Sequence, residues 1–334
     1  MKIKFILLLF SITFGSNLNI ITWNIENYPK SGQETIDAVR EIIEYLNPDI
    51  IALQEISSQY YFENLIDDLD GWDGVRQGDG THSLAYIYKT NNPALVILDS
   101  YDIYENEWYS FPRSPMILSV YFEGNYIKFI NNHFKCCSGS ENEERRRQAS
   151  LYIEQYIDGY LDDQNVIVLG DLNDNITDPE DDNVFINFID NESEFQFVDM
   201  EIAEGSSYYW SYPSYPSHID HILITNELFD EFVNNNSQTN TILAEEIATN
   251  NWNQYDNIIS DHRPVQLLLE FDQISYIGDT NSDQNIDVLD VVNIIDIILN
   301  NSNPNQVEIY LSDYNSDGLI DVSDIVAIVN YILS

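Results

Sequence analysis

Residues 166–174 read Val166-Ile167-Val168-Leu169-Gly170-Asp171-Leu172-Asn173-Asp174: four apolar side chains, a glycine, then three oxygen-bearing side chains within four positions. An unbroken, β-branched apolar run of that length suits a strand buried on both faces. Such a strand delivers the polar residues that follow it to a fixed place at the rim of the core. The same pattern recurs along the chain. Asn24 ends Ile20-Ile21-Thr22-Trp23, Glu55 ends Ile50-Ile51-Ala52-Leu53-Gln54, and His133 ends Phe129-Ile130-Asn131-Asn132. Asp220 sits in Ser217-His218-Ile219-Asp220-His221, and Asp261 and His262 precede a last strand in Ser260-Asp261-His262-Arg263-Pro264. Taken singly, each has a structural reading: an Asx turn at Asp171, a loop cap at Ser260, a hydrogen-bonded core histidine at His133.

Further strands are expected at Leu84 to Tyr88, Met116 to Phe122, His218 to Ile224 and Val265 to Phe271. Helices are expected over Glu34 to Leu46, where Ile36, Val39, Ile42, Ile43 and Leu46 share a face, and over Glu141 to Tyr160, opened by a capping box of Ser140 with Glu143. Many strands with few helices between them indicate an α+β chain, a two-sheet β-sandwich flanked by helices.

Together and in this order, Trp23-Asn24, Gln54-Glu55, Gly170-Asp171-Leu172-Asn173, Ile219-Asp220-His221 and Ser260-Asp261-His262 resemble the motifs of the endonuclease/exonuclease/phosphatase superfamily, the deoxyribonuclease-I-like fold, over residues 17–271. Hydrolysis of a phosphate ester needs a cation against the phosphoryl oxygens, an oriented water and relief of charge on the leaving oxygen. The resemblance implies that Asn24, Glu55 and Asp261 hold a hard divalent ion, Mg²⁺ or Mn²⁺, through oxygen ligands. It implies that Asp171 and Asn173 orient water and phosphate, and that His262, paired with Asp220, binds or protonates phosphoryl oxygens together with His133. Arg113, in Phe111-Pro112-Arg113-Ser114-Pro115, matches a phosphate-contacting arginine of the family, with a loop salt bridge as the structural alternative. One departure concerns His133: the glutamate that pairs with the matching histidine in pancreatic-type members is replaced in its region by His82 or Ser83, so His133 is expected to be held differently.

The other departure is charge. The chain has 334 residues, with 57 acidic and 13 basic side chains and a formal charge of -44. That excludes a basic protein that coats nucleic acid and predicts weak binding of polyanions at low salt, as suits a saline medium outside the cell. Met1-Lys2-Ile3-Lys4, the apolar run Phe5 to Phe14, then Gly15 and Ser16 follow the order of a secretory signal peptide, residues 1–15; no later run is long enough to span a bilayer. The adjacent Cys136 and Cys137 read either as two buried thiols or as a vicinal disulfide. Arg145, Arg146 and Arg147 are expected to pair with neighbouring Glu143 and Glu144, with one arginine reaching the substrate as the alternative. Ser207 to Pro216, with five aromatics, reads as a loop packed on the core, or as one that stacks a nucleobase or dips into lipid.

From residue 272 to 334 there are 11 acidic residues and no basic ones. Within that tail Asp279, Asn281, Asp283, Asp287 and Asp290 recur as Asp313, Asn315, Asp317, Asp321 and Asp324, at positions 1, 3, 5, 9 and 12 of a loop followed by a helix. This spacing suits Ca²⁺, and the two copies resemble type I dockerin repeats, which implies a small all-α, EF-hand-like module and a cohesin-like partner. Gly318 fills the sharp-turn position of the second loop, where the first has Gln284. The expected molecule is a secreted, possible surface-attached monomer: a metal-dependent phosphodiesterase, foremost an endonuclease on DNA or RNA. A phospholipid or sphingomyelin phosphodiesterase, a phosphomonoesterase and a noncatalytic calcium-dependent binding module are the alternatives.

Overall fold

The computed structural model describes residues 16–78, 80–233, 236–271, 277–283 and 285–334. The expected leader at 1–15, the start of the tail at 272 and the turn position Gln284 lie outside them. Twelve strands are seen among the described residues: β1 (Ser16–Tyr28), β2 (Ile50–Ile56), β3 (Trp72–Arg76), β4 (Ser83–Lys89), β5 (Leu95–Asp102), β6 (Met116–Phe122), β7 (Asn125–His133), β8 (Asn165–Asp171), β9 (Phe195–Phe197), β10 (Asp220–Thr225), β11 (Gln238–Thr241) and β12 (Val265–Phe271). They form two six-stranded sheets, in the orders β11-β12-β1-β2-β4-β3 and β5-β6-β7-β8-β10-β9.

Both faces of each sheet are covered, which is why the central strands read as unbroken apolar runs. Leu18, Ile20 and Ile50 of the first sheet meet Leu118, Phe129, Ile167 and Ile222 of the second in one core between the layers. On the outside, Ile21, Trp23 and Leu53 pack under Val39, Ile42 and Ile43 of helix α1 (Gln33–Leu46), with Phe62 and Leu65 of α2 (Gln59–Asp67) beside them. Ile130, Val168 and Leu223 pack under Ala149, Ile153 and Ile157 of α3 (Ser140–Tyr160). The four strands that the apolar pattern does not reveal, β3, β5, β9 and β11, are the edges of the two sheets. Edge strands are short or half-exposed, so their sequences carry no continuous apolar run. The capping box expected for α3 is absent: Gly139, at φ 110°, is the N-cap, and its carbonyl accepts the amides of Asn142 and Glu143. Ser140 already lies inside the first turn, one residue too late to cap it.

Register assembles the rim. The parallel pair β7 and β8 sets His133 opposite Asp171, and the antiparallel pair β8 and β10 sets Asp171 opposite Asp220, so three side chains from distant sequence stand in one row. Gly170 makes this approach feasible: at φ 140°, a Cβ there would lie 2.0 Å from the Asn132 carbonyl oxygen. In the other sheet, parallel β1 and β2 pair Asn24 with Gln54, after which the register slips. Glu55 sits in that irregularity with a left-handed backbone, φ 63°, which costs a non-glycine residue about 1–2 kcal/mol and turns its side chain toward the rim.

In the tail, helices Val288–Ile298 and Val322–Ile332 follow the two acidic loops, each opened by a capping box, Asp287 with Asp290 and Asp321 with Asp324. Val291, Ile294 and Ile328 form their shared core. A third helix, Gln306–Ser312, links them and docks on the sandwich, with Val307, Tyr310 and Leu311 against Tyr121 and Val96. Gly318 takes φ 84°, the left-handed turn its position asks for.

Candidate active site

Ser260, buried at the mouth between the sheets, donates its hydroxyl to the Asn24 carbonyl at 2.6 Å and accepts the His262 amide at 2.9 Å, fastening the segment before β12 to the end of β1. Tyr255 adds a second fastening: it accepts from the Trp23 indole at 3.1 Å and donates to the His262 carbonyl at 2.8 Å. His262 is thereby aimed at the row formed by β7, β8 and β10. Its Nδ1 lies 2.7 Å from Asp220 Oδ2, and its Nε2 lies 3.8 Å from both Asp171 Oδ2 and Asp261 Oδ1. His133 approaches from the other side, with Nε2 3.4 Å from Asp171 Oδ2 and 3.9 Å from Glu55 Oε1. Asn24 bridges the two sheets, its amide donating to Asp171 Oδ2 at 2.9 Å and to Glu55 Oε1 at 3.4 Å. Asn24, Glu55, His133, Asp171, Asp220 and His262 therefore meet at one point, and Asp261 joins through His262 and through Glu26, whose Oε2 accepts the Asp261 amide.

Burial raises the Asp171 carboxyl to about 7, against the opposing pull of His262 and with the repulsion of Asp220. Burial and the nearby Glu26 likewise hold Asp261 at about 6. For His262, burial would lower the basicity, but Asp220 and Asp171 outweigh it and raise the imidazole to about 10, so it is an imidazolium at neutral pH. His133 is the reverse: burial, then the charges of Arg113 and His262, push it well below 6.5, so it is neutral. Asp220 Oδ1 and His133 Nδ1 are buried without a protein partner, a costly condition unless something else fills the site. Crowded, partly desolvated carboxylates at Glu55, Asp171 and Asp261 fit a hard divalent cation, whereas His262, within 4.8 Å of Asp171 and Asp220, is an imidazolium and cannot be one of its ligands.

A family model described as the endonuclease/exonuclease/phosphatase family matches residues 21–262. The chain belongs to that family. Its fold is similar to that of D. rerio TDP2 complexed with a single-strand DNA product, at 16% identity and TM-score 0.58, covering 77% of this chain and 100% of that one. It is similar to the family protein from Bacteroides vulgatus, at 18% and 0.54 over 77% and 99% of the two chains. The human nocturnin catalytic domain with bound sulfate anion gives 16% and 0.54 over 77% and 96%. No curated protein matches the chain. Membership of the family makes this a metal-dependent phosphoric ester hydrolase of nuclease or phosphodiesterase type and sets the noncatalytic reading aside.

The family motifs do not settle the remaining residues, which the geometry places. Asn173, left-handed at φ 57°, donates its amide to the Phe134 carbonyl, and its backbone N–H caps Asp171 Oδ1. Arg113 forms no salt bridge among the described residues; its Nε donates to the His82 carbonyl at 3.2 Å. His82 itself meets Asn27 Oδ1 at 2.6 Å and not His133. None of the three clustered arginines pairs with Glu143 or Glu144, because each reaches out to a loop instead. Arg145 bonds the carbonyls of Tyr109 and Trp108, Arg146 binds Asp174 at 2.7 Å and the carbonyls of Lys135 and Cys137, and Arg147 binds those of Asn183 and Asp182. The cysteines are free thiols and neither is buried. In the tail, Asp290 and Asp324 reach back to loop amides, of Thr280, Asn281 and Asp287 and of Asn315 and Asp321. Asp279 and Asp313 accept the amides of Asp283 and Asp317.

Sequence reasoning missed the supports. Gln54 donates to Asn131 Oδ1 at 2.8 Å across the sandwich, and Asn131 in turn donates to the Leu53 and Ala85 carbonyls. A polar pair inside two otherwise apolar strands was the available signal. A second buried cluster was also missed: Asp199 Oδ2 lies 3.0 Å from His218 Nε2 and 2.6 Å from His221 Nδ1, while His221 Nε2 meets the Asp174 carbonyl at 2.9 Å.

Proposed function

We propose that this protein is an exported endonuclease that hydrolyses phosphodiesters of DNA or RNA with Mg²⁺ or Mn²⁺, acts as a monomer outside the cell, and carries a calcium-binding, dockerin-like tail for attachment to a cohesin-like partner. The observation that carries the catalytic part is the row His133, Asp171 and Asp220 with the His262 imidazolium set against it. Asn24, Glu55 and Asp261 would hold the cation, which when bound withdraws charge from the phosphoryl oxygens. Asp171, whose basicity lies near neutrality, accepts a proton from the attacking water, and Asn173 fixes the loop that aims it. Asp220 holds His262 Nδ1–H, leaving Nε2–H to donate to a phosphoryl oxygen as charge builds. His133, neutral, contributes hydrogen bonding and no charge. The TDP2 relative was captured with a single-strand DNA product, which favours nucleic acid over lipid as the substrate. The repeated Asp-Asn-Asp spacing, the signal-like leader and the acidic surface support the calcium, export and saline parts of the reading.

The test is conversion of supercoiled plasmid to nicked and linear forms by the full mature chain in Mg²⁺ at high salt, beside His262→Ala. Cleavage abolished by the substitution and by chelator is the expected result. Equal inertness of both proteins would overturn the nuclease reading.

A further inference from the structure

The segment Ser207 to Pro216 does not simply pack on the core. The Tyr212 ring lies against the His262 imidazole, with ring centres 4.8 Å apart, and Tyr215 stacks on Tyr212 at 6.1 Å and 20°. Three rings thus run in file from the catalytic imidazolium outward, and the last of them, Tyr215, is 75% exposed. The file is held in place. Tyr212 and Ser217 exchange backbone hydrogen bonds at 3.0 and 3.2 Å, Ser217 caps the Tyr215 carbonyl at 2.8 Å, and Ser214 reaches Asp256. Pro213 and Pro216 stiffen the turn. Arg263 anchors the preceding stretch through the carbonyls of Tyr208 and Trp210, itself paired with buried Glu245.

A rigid, open aromatic face beside a phosphoryl site has a chemical use. A chain with 57 acidic and 13 basic side chains has few cations with which to track a phosphate backbone. Affinity beyond the scissile phosphate has to come from contacts indifferent to charge, and stacking of a base on an aromatic ring is the strongest of these. We infer that Tyr212 and Tyr215 form a stacking subsite for the unpaired nucleobase next to the scissile phosphate, so that the preferred substrate is a single-stranded nucleic acid or a frayed end. This rests on the nuclease reading above and narrows it. Bases inside a duplex already have both faces covered and cannot enter the file. Lipid is the weaker occupant, because the file of rings leads inward to His262.

The experiment compares cleavage of single-stranded oligonucleotides carrying either normal nucleotides or abasic tetrahydrofuran residues around one scissile phosphate, by the full chain, Tyr215→Ala, Tyr215→Phe and, as a control for an exposed tyrosine elsewhere, Tyr45→Ala. The wild type should favour the base-bearing strand by about 5- to 150-fold in kcat/KM, mostly through KM. Tyr215→Ala should lose that preference, Tyr215→Phe should keep it because the ring remains, and Tyr45→Ala should match wild type. Equal cleavage of both oligonucleotides by wild type, or a preference that survives in Tyr215→Ala, overturns the subsite while leaving a nuclease. Inertness on both oligonucleotides, with turnover of sphingomyelin or phosphatidylcholine vesicles, overturns the nuclease reading and the subsite together.

Discussion

Neighbouring residues of β10 feed two clusters of the same chemical kind. Asp220 holds His262 at the rim, and His221, on the opposite face of the strand, joins Asp199 and His218 under Phe185 and Phe197. Each cluster gathers carboxylate and imidazole within 4.8 Å, so each has the composition of a metal or catalytic centre. They differ in satisfaction. In the inner cluster Asp199 Oδ1 accepts the Ile222 amide, His218 Nδ1 accepts the Ser211 amide, and both His221 nitrogens are engaged. Because His221 faces a carboxylate on one side and a carbonyl on the other, it has to donate from both nitrogens, and it is held as an imidazolium. In the outer cluster Asp220 Oδ1 and the nearby His133 Nδ1 are left over. A finished network is a clamp, here on the Asp174 carbonyl behind the Asp171 loop; an unfinished one is a place where something else is meant to bind.

That contrast breaks most sharply at His262. His262→Ala should lower kcat by about 10²- to 10⁴-fold, read in the plasmid assay, with a native circular-dichroism spectrum. Asp199→Asn should act on stability instead, leaving His221 charged and buried beside an amide, at about 3–5 kcal/mol in a denaturant titration. If the Asn variant were as stable as wild type but catalytically dead, the inner cluster would be part of the chemistry and the contrast would fail.

The inner pair also sets a pH window. Burial by itself would lower His221, but Asp199 outweighs it and raises His221 above 6.5. Burial opposes ionisation of Asp199, but His221 and His218 outweigh it and depress its carboxyl below its ordinary range. The His221 contribution is complete below pH 6.5 and is lost as pH rises through the raised native value. The Asp199 contribution is complete above about pH 4 and is lost only in strong acid. The gap in melting temperature between wild type and Asp199→Asn should therefore hold a plateau between those limits and narrow on the alkaline side. A smaller effect is expected at the fastening behind His262: Tyr255→Phe removes its two hydroxyl bonds and should cost about 1–2 kcal/mol, with less than a tenfold change in kcat.

The outer cluster was readable before the fold was known because its residues border apolar runs that betray buried strands: Asp171 follows Val166 to Leu169, and His262 stands just before Val265 to Phe271. The sequence could not supply the register that sets His133, Asp171 and Asp220 abreast, nor the slip that turns Glu55 inward. Asp199 was illegible because it precedes only a four-residue helix and its partners lie about 20 positions away. Edge strands and the helix Gln306–Ser312 escaped for a related reason: their burial is one-sided and comes from distant segments. Tyr212 was visible as part of an aromatic run, but its place on His262 depends on a turn closed by Ser217.

The docking of helix Gln306–Ser312 on Tyr121 fixes an orientation. Tyr121 pairs with Tyr126, seven residues before His133 along β7, so the anchor lies about 23 Å along the strand from that histidine. A tail held at that pole leaves the opposite pole free: anything that grips the tail is kept a strand's length away from the mouth between the sheets.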